Sequence, residues 1–191
     1  MRKNFQGAGT VPETVVTAEM ANKLLRDQLL YERLSSAINT LGNAHRQIKV
    51  YEGALREMFC SIDLLRGSLA LRAGSYGIEN VWKTVTNNPR GELENFLKGL
   101  DKLKEDFEQW SNSRPEQGFY RIDARMVDEF AQELARSERG GAKSEAITGF
   151  SPDSLRTIEE EAKCLIDVVH SLNHWRHQVE HALQVLSLIH I

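Results

Sequence analysis

Four histidines, His170, His174, His177 and His181, recur in steps of four, three and four toward the end of the chain. On an α-helix these positions fall within an arc of about 60°, so one helical face would carry four imidazoles. Imidazole titrates near neutral pH, exchanges protons and, when neutral, ligates metals. Arg176 stands among them, and a guanidinium offers paired donors to phosphate oxygens. Arg176 also occupies a place where an apolar residue is expected. Leu155, Ile158, Ala162, Leu165, Val169, Leu172, Val179, Leu183 and Leu186 form a seam in steps of three and four, which is the pattern of one buried helix stripe. Arg176 interrupts that seam between Leu172 and Val179. An arginine there calls for a partner, an oligomer interface or a solvated cleft, because an unpaired buried charge is costly.

Arg176-His177-Gln178-Val179-Glu180-His181 follows an Arg, polar residue, spacer, His pattern. It resembles the signature of the HEPN superfamily, all-helical domains that include many metal-independent RNA endonucleases. The resemblance covers these six residues and a helical architecture. It implies that Arg176 holds the scissile phosphate and that His181 is the general acid/base, with His177 as the polar residue after the arginine and Glu180 as a supporting neighbour. The RNA 2′-hydroxyl would be the nucleophile, so no cofactor is implied. The family's sites often lie between two protomers. The resemblance further implies RNA as a partner, a toxin or defence setting, and a protein partner such as an antitoxin.

Two other readings use the same residues. The pairs His170/His174 and His177/His181, four apart, each suit one metal ion bound from a single helix; a third ligand would have to come from elsewhere. Such a stripe would act as a metal or pH sensor. The plainest alternative is a histidine-rich polar flank on a non-catalytic helical interaction protein, such as an adaptor associated with phage, plasmid or secretion systems.

The elements that would position this stretch are also legible. Ser151-Pro152-Asp153 reads as a helix start: a hydroxyl cap, a proline at the first helical position and an acid at the positive helix end. Residues 1–12, with Gly7, Gly9 and Pro12, read as a flexible arm. A helix is predicted over residues 13–41, inward at Met20, Leu24, Tyr31, Leu34, Ile38 and Leu41, with a break at Gly42-Asn43. A second, over 44–73, has the most regular seam in the chain: Ile48, Tyr51, Leu55, Met58, Ile62, Leu65 and Leu69. That is a coiled-coil-type repeat. Arg46, Lys49 and Arg56 give this helix a basic side, read as a solvated face or as an RNA path near Arg176. A short helix over 78–85 would carry Trp82. Asn88-Pro89 opens a helix to Trp110, inward at Leu93, Phe96, Leu100, Leu103, Phe107 and Trp110, followed by a loop over 111–118. Residues 122–137 form a shorter helix, inward at Met126, Phe130 and Leu134, and 140–149 a loop.

The chain has 191 residues, 41% hydrophobic and 27% charged, with a net charge of −3. This suits one globular domain with a substantial core. It argues against a protein that coats nucleic acid by charge alone. Cys60 and Cys164 fall within helical patterns and are predicted to be buried thiols of a reducing compartment. No signal peptide and no apolar span for a membrane are expected, so the predicted location is cytoplasmic. Residues 186–191 resemble a translated sequencing-adapter tail, and 187–191 are set aside as a candidate non-native segment. No strand pattern, phosphate-binding glycine loop or zinc-finger spacing occurs. The expected fold is all-α, an antiparallel bundle of about five helices over residues 13–186, three of them long, assembled as a homodimer.

Overall fold

A computed structural model describes residues 18–73, 83, 89–116, 121–139 and 151–190, and these are helical almost throughout, with no strand among them. Among the described residues there are four helices: α1, Ala18–Ala73; α2, Pro89–Glu116; α3, Ala124–Arg139; and α4, Pro152–His190. The all-α expectation holds. The predicted arm at 1–12, the short helix at 78–85 and the loop at 140–149 lie outside the described residues, Lys83 excepted.

α1 is one uninterrupted helix of 56 residues, about 84 Å long at 1.5 Å per residue. This corrects the expected break at Gly42-Asn43. A mid-helix glycine costs only about 1 kcal/mol relative to alanine, and burial on either side of Gly42 outweighs that. Leu41 and Ala44 are both in the core, and a Cβ on Gly42 would sit 3.5 Å from Cγ1 of Val127 in α3. That is ordinary van der Waals contact, so Gly42→Ala is expected to stabilise the fold by up to about 1 kcal/mol. Chemical denaturation checks it; a loss of stability would mean that α3 sits closer to α1 than this spacing.

α2 continues through residues expected to form a loop, ending at Glu116. The reason is local packing: Ser111 is buried and its hydroxyl donates to Oε1 of Glu52 at 3.0 Å.

Side-chain pairs give the direction of each helix. Arg33 in α1 grips Glu159 in α4 through two hydrogen bonds of 3.0 and 2.7 Å, and further along both helices Arg176 lies over the ring of Tyr51. α1 and α4 therefore run parallel. α2 runs the other way along the later part of α1, with Arg66 paired to Asp101 and Asp63 to Lys104, each at 2.6 Å. The hydrogen bond that Lys104 donates to Asp63 holds its ammonium above the usual range. α3 is also antiparallel, along the earlier part of α1. Gly42 faces Val127, His45 Nε2 lies 2.9 Å from the Ile122 carbonyl, and burial, then the Glu138 carboxylate, raises the Tyr31 phenol above its ordinary range. The described helices thus form a bundle with α1 up, α2 and α3 down, and α4 up. The antiparallel expectation applies to the descending pair, and the parallel pairing of α1 with α4 follows from having that pair between them in sequence.

The core comes mainly from the two parallel helices. Leu34, Ile38, Leu41, Ile48, Leu55, Phe59 and Ile62 of α1 are buried, as are Leu155, Ile158, Leu165, Leu172, Val179 and Leu186 of α4. These are largely the predicted seams, but Met20 and Leu24, expected to face inward, are 55% and 61% exposed, because α4 begins level with Arg26 and does not reach them. Ile122 and Val127 of the α3 region join them. Cys60 and Cys164 are exposed, which corrects the expectation of buried thiols: both fall on helix faces turned from this core. Ser151 caps α4 as expected, its Oγ accepting the Ser154 N–H at 3.0 Å. Asp123 does the same for α3, accepting from Met126 at 2.8 Å.

Candidate functional site

The seam of α4 is continuous where the sequence had placed an interruption. Between Leu172 and Val179 the apolar position is taken by Trp175, which packs against the core. Its ring meets Phe107 and Trp110 of α2 edge-on, with centroids 6.2 Å from each. Phe107 in turn lies 5.6 Å from Phe59 of α1. Edge-to-face and offset contacts at such distances are favourable for aromatic rings. Four rings from three helices therefore lock the bundle at this level.

Arg176 sits beside Trp175 rather than in its place. Its side chain is 29% exposed, and its Cζ lies 5.1 Å from the centre of the Tyr51 ring, a cation–π distance. Nε is 3.4 Å from Oε1 of Glu180. That Nε is buried and makes no hydrogen bond. The other Glu180 oxygen is 3.3 Å from Nδ1 of His177, so Glu180 bridges Arg176 and His177. His174 Nε2 accepts a hydrogen bond from the Gln178 amide, at 2.8 Å.

The structure brings Arg176, His177 and Glu180 together but not Arg176 and His181. Five residues on a helix amount to about 140° of rotation. Arg176 accordingly turns toward Tyr51, whereas His181 is exposed. His170, His174 and His177 are exposed as well, so the histidine stripe is a solvent-facing flank of α4. Among the described residues no group of three or more His, Cys, Asp or Glu side chains is placed to hold a metal ion.

The basic residues of α1 lie elsewhere. By the same helical arithmetic Arg46, Lys49 and Arg56 are about 140–160° around α1 from Tyr51. Arg46 and Lys49 line a groove against Ala124, Val127 and Asp128 of α3, with Arg46 donating to Oδ1 of Asn43 at 2.6 Å. Arg56 belongs to the α1–α2 junction, donating to Glu52 and to the Ser111 hydroxyl, both at 2.7 Å. These three side chains do not form one path with Arg176.

Two buried carboxylates escaped the sequence reading. Glu52 is held by Arg56 and Ser111 as described. Glu161 of α4 accepts the backbone N–H of Arg121 at 2.8 Å and so fixes the turn into α3. Arg56 is one turn from Glu52, but Ser111 and Arg121 are far from the glutamates in sequence, and nothing in the local pattern marks either glutamate as buried. No described helix is long and apolar enough to cross a membrane.

No protein-family model, no curated protein and no solved structure matches this chain.

Proposed function

We propose that this chain is a helical interaction protein, a bundle that works by presenting helix surface to another protein. One observation carries the reading. Seven of the nine large hydrophobic side chains exposed among the described residues lie on α1: Met20, Leu24, Leu25, Leu29, Val50, Leu64 and Leu71, against Ile166 and Leu188 on α4. Scattered apolar residues on a surface need no explanation, but their concentration on one element points to interaction surface. Among the described residues, the early turns of α1 also extend past the other helices. Pro152, seven residues before Glu159, lies level with Arg26, seven before Arg33, so residues before Arg26 have no α4 alongside.

A second reading keeps the HEPN resemblance: an RNA-cleaving or RNA-binding protein in which Arg176 holds a phosphate and His181 moves the proton. It is favoured by the Arg176 Nε, a buried donor that makes no hydrogen bond, its nearest carboxylate oxygen being that of Glu180 at 3.4 Å. It requires His181 to come from a second protomer, because on one helix the two residues diverge.

The two readings separate in one assay. Single-stranded RNA of mixed sequence, incubated in EDTA with the wild-type chain or with His181→Ala, is expected to stay intact with both. Cleavage by the wild type that leaves cyclic-phosphate ends and disappears in His181→Ala would replace the interaction reading with the nuclease.

A further inference from the structure

α1 carries a second seam that its own bundle does not use. Val50, Gly53, Glu57, Cys60, Leu64, Gly67 and Leu71 follow one another in steps of three and four, and all seven are exposed. Val50 is 65%, Leu64 75% and Leu71 85% exposed. A Cβ added at Gly53 or Gly67 would meet nothing within 4 Å, so no neighbour among the described residues requires glycine there. Glycine in a helix interior is destabilising relative to alanine. A seam of large apolar residues alternating with open positions is the surface that a second helix fills, knobs entering holes.

Resting on the interaction reading, we propose that the partner is a second copy of this chain, docked antiparallel along α1. In that arrangement Val50 enters the hole at Gly67 of the second copy and Leu64 the hole at Gly53, while Glu57 lies opposite Cys60. The two-fold axis repeats each contact. Val50 and Leu64 thus each meet a glycine, which a stripe that is not self-complementary would not provide, and Leu71 falls opposite Arg46 of the second copy. The flanking charges select this register. Arg56 falls beside Asp63 of the second copy, and Asp63 beside its Arg56. A slide of one heptad in one direction sets Asp63 against Asp63, and in the other Arg56 against Arg56, and like charges placed so oppose association. On the other flank Ala54 and Ser61 face each other and allow close approach. Arg56 and Asp63 keep their bonds to Glu52 and Lys104, with side chains 61% and 51% exposed and so within reach of a neighbour. Glu57 is the one charged residue in the seam; a lone polar seam position fixes register at a cost in affinity.

Sedimentation of the full chain across the micromolar range tests this. The wild type is expected to be a dimer. Leu64→Lys and Gly53→Leu are each expected to weaken association by about a hundredfold or more, the effect of disrupting a central contact. Gly53→Leu should at the same time raise the melting temperature of the monomer, since it removes a helix glycine into open space; loss of folding is thereby separated from loss of docking. Glu57→Leu should tighten the dimer. With both native cysteines replaced by serine, a mixture of Val50→Cys and Gly67→Cys chains should form an interchain disulfide that neither forms alone. A wild type that stays monomeric, a dimer indifferent to Leu64→Lys and Gly53→Leu, or a covalent dimer from either cysteine variant alone overturns the proposal. A monomeric wild type removes the second copy as partner, whereas RNA cleavage dependent on His181 removes the interaction reading itself.

Discussion

Leu172→Ala is expected to lower the unfolding free energy by about 3 kcal/mol, within the roughly 2–5 kcal/mol that truncating a buried leucine costs. Leu172 is 0% exposed, and the next turn of α4 carries Trp175, locked between Phe107 and Trp110. The lost methyl groups remove transfer free energy. The void that remains adds to it, because long helices held by an aromatic cluster cannot move inward to close a hole. For a chain of this length the change corresponds to a fall in Tm of roughly 10 °C. Leu25→Ala is the matched control. Leu25 is on the exposed overhang of α1, and its truncation is expected to change stability by no more than about 0.5 kcal/mol. Urea denaturation followed by circular dichroism measures both. Equal losses at the two sites would contradict the division of α1 and α4 into covered and open faces.

Glu161→Ala is expected to cost about 2 kcal/mol, near the middle of the roughly 1.5–3 kcal/mol for a hydrogen bond to a charged group. Glu161 is 7% exposed, and its carboxylate is the acceptor for the Arg121 N–H. Alanine would leave that N–H without its acceptor just before Asp123 caps α3. The consequence should be local. Amides of α3 should exchange faster with solvent, while those in the middle of α1, shielded by α4, should change little, because local opening reports the stability of its own segment. Glu161→Gln keeps a carbonyl acceptor at the same reach and should lose less. Unchanged protection in α3 with alanine would show that the turn is held by other contacts, such as the one between His45 and the Ile122 carbonyl.

Much of this was legible in the amino acids. Steps of three and four are a local property, since residues so spaced share a helix face whatever lies opposite. Leu155, Ile158, Leu165, Leu172 and Val179 could therefore be assigned to one stripe, and Ile48, Leu55 and Ile62 to another, and all are buried. The Ser151 cap is similarly local, because its acceptor and donor are three residues apart. The divergence of Arg176 and His181 is also implied by a five-residue spacing at 3.6 residues per turn; it is the side-chain contacts that give each residue its surroundings.

Other features depend on what each helix meets. Gly42 and Asn43 carry a turn signal, and only burial between α3 and α4 keeps α1 whole there. Trp175 and Arg176 are neighbours, and either satisfies the spacing from Leu172 to Val179. Phe107 and Trp110 of α2 draw the indole inward, and Tyr51 of α1 takes the guanidinium. The burial of Glu52 and Glu161 rests on Ser111 and Arg121, distant in sequence, so no local rule could find it. The outward seam from Val50 to Leu71 has the same periodicity as the inward one from Ile48 to Leu65. Periodicity alone determines that both are helix-packing faces. Which of them the chain covers with its own α2, α3 and α4, and which it leaves open, was decided only when those helices took their places on α1.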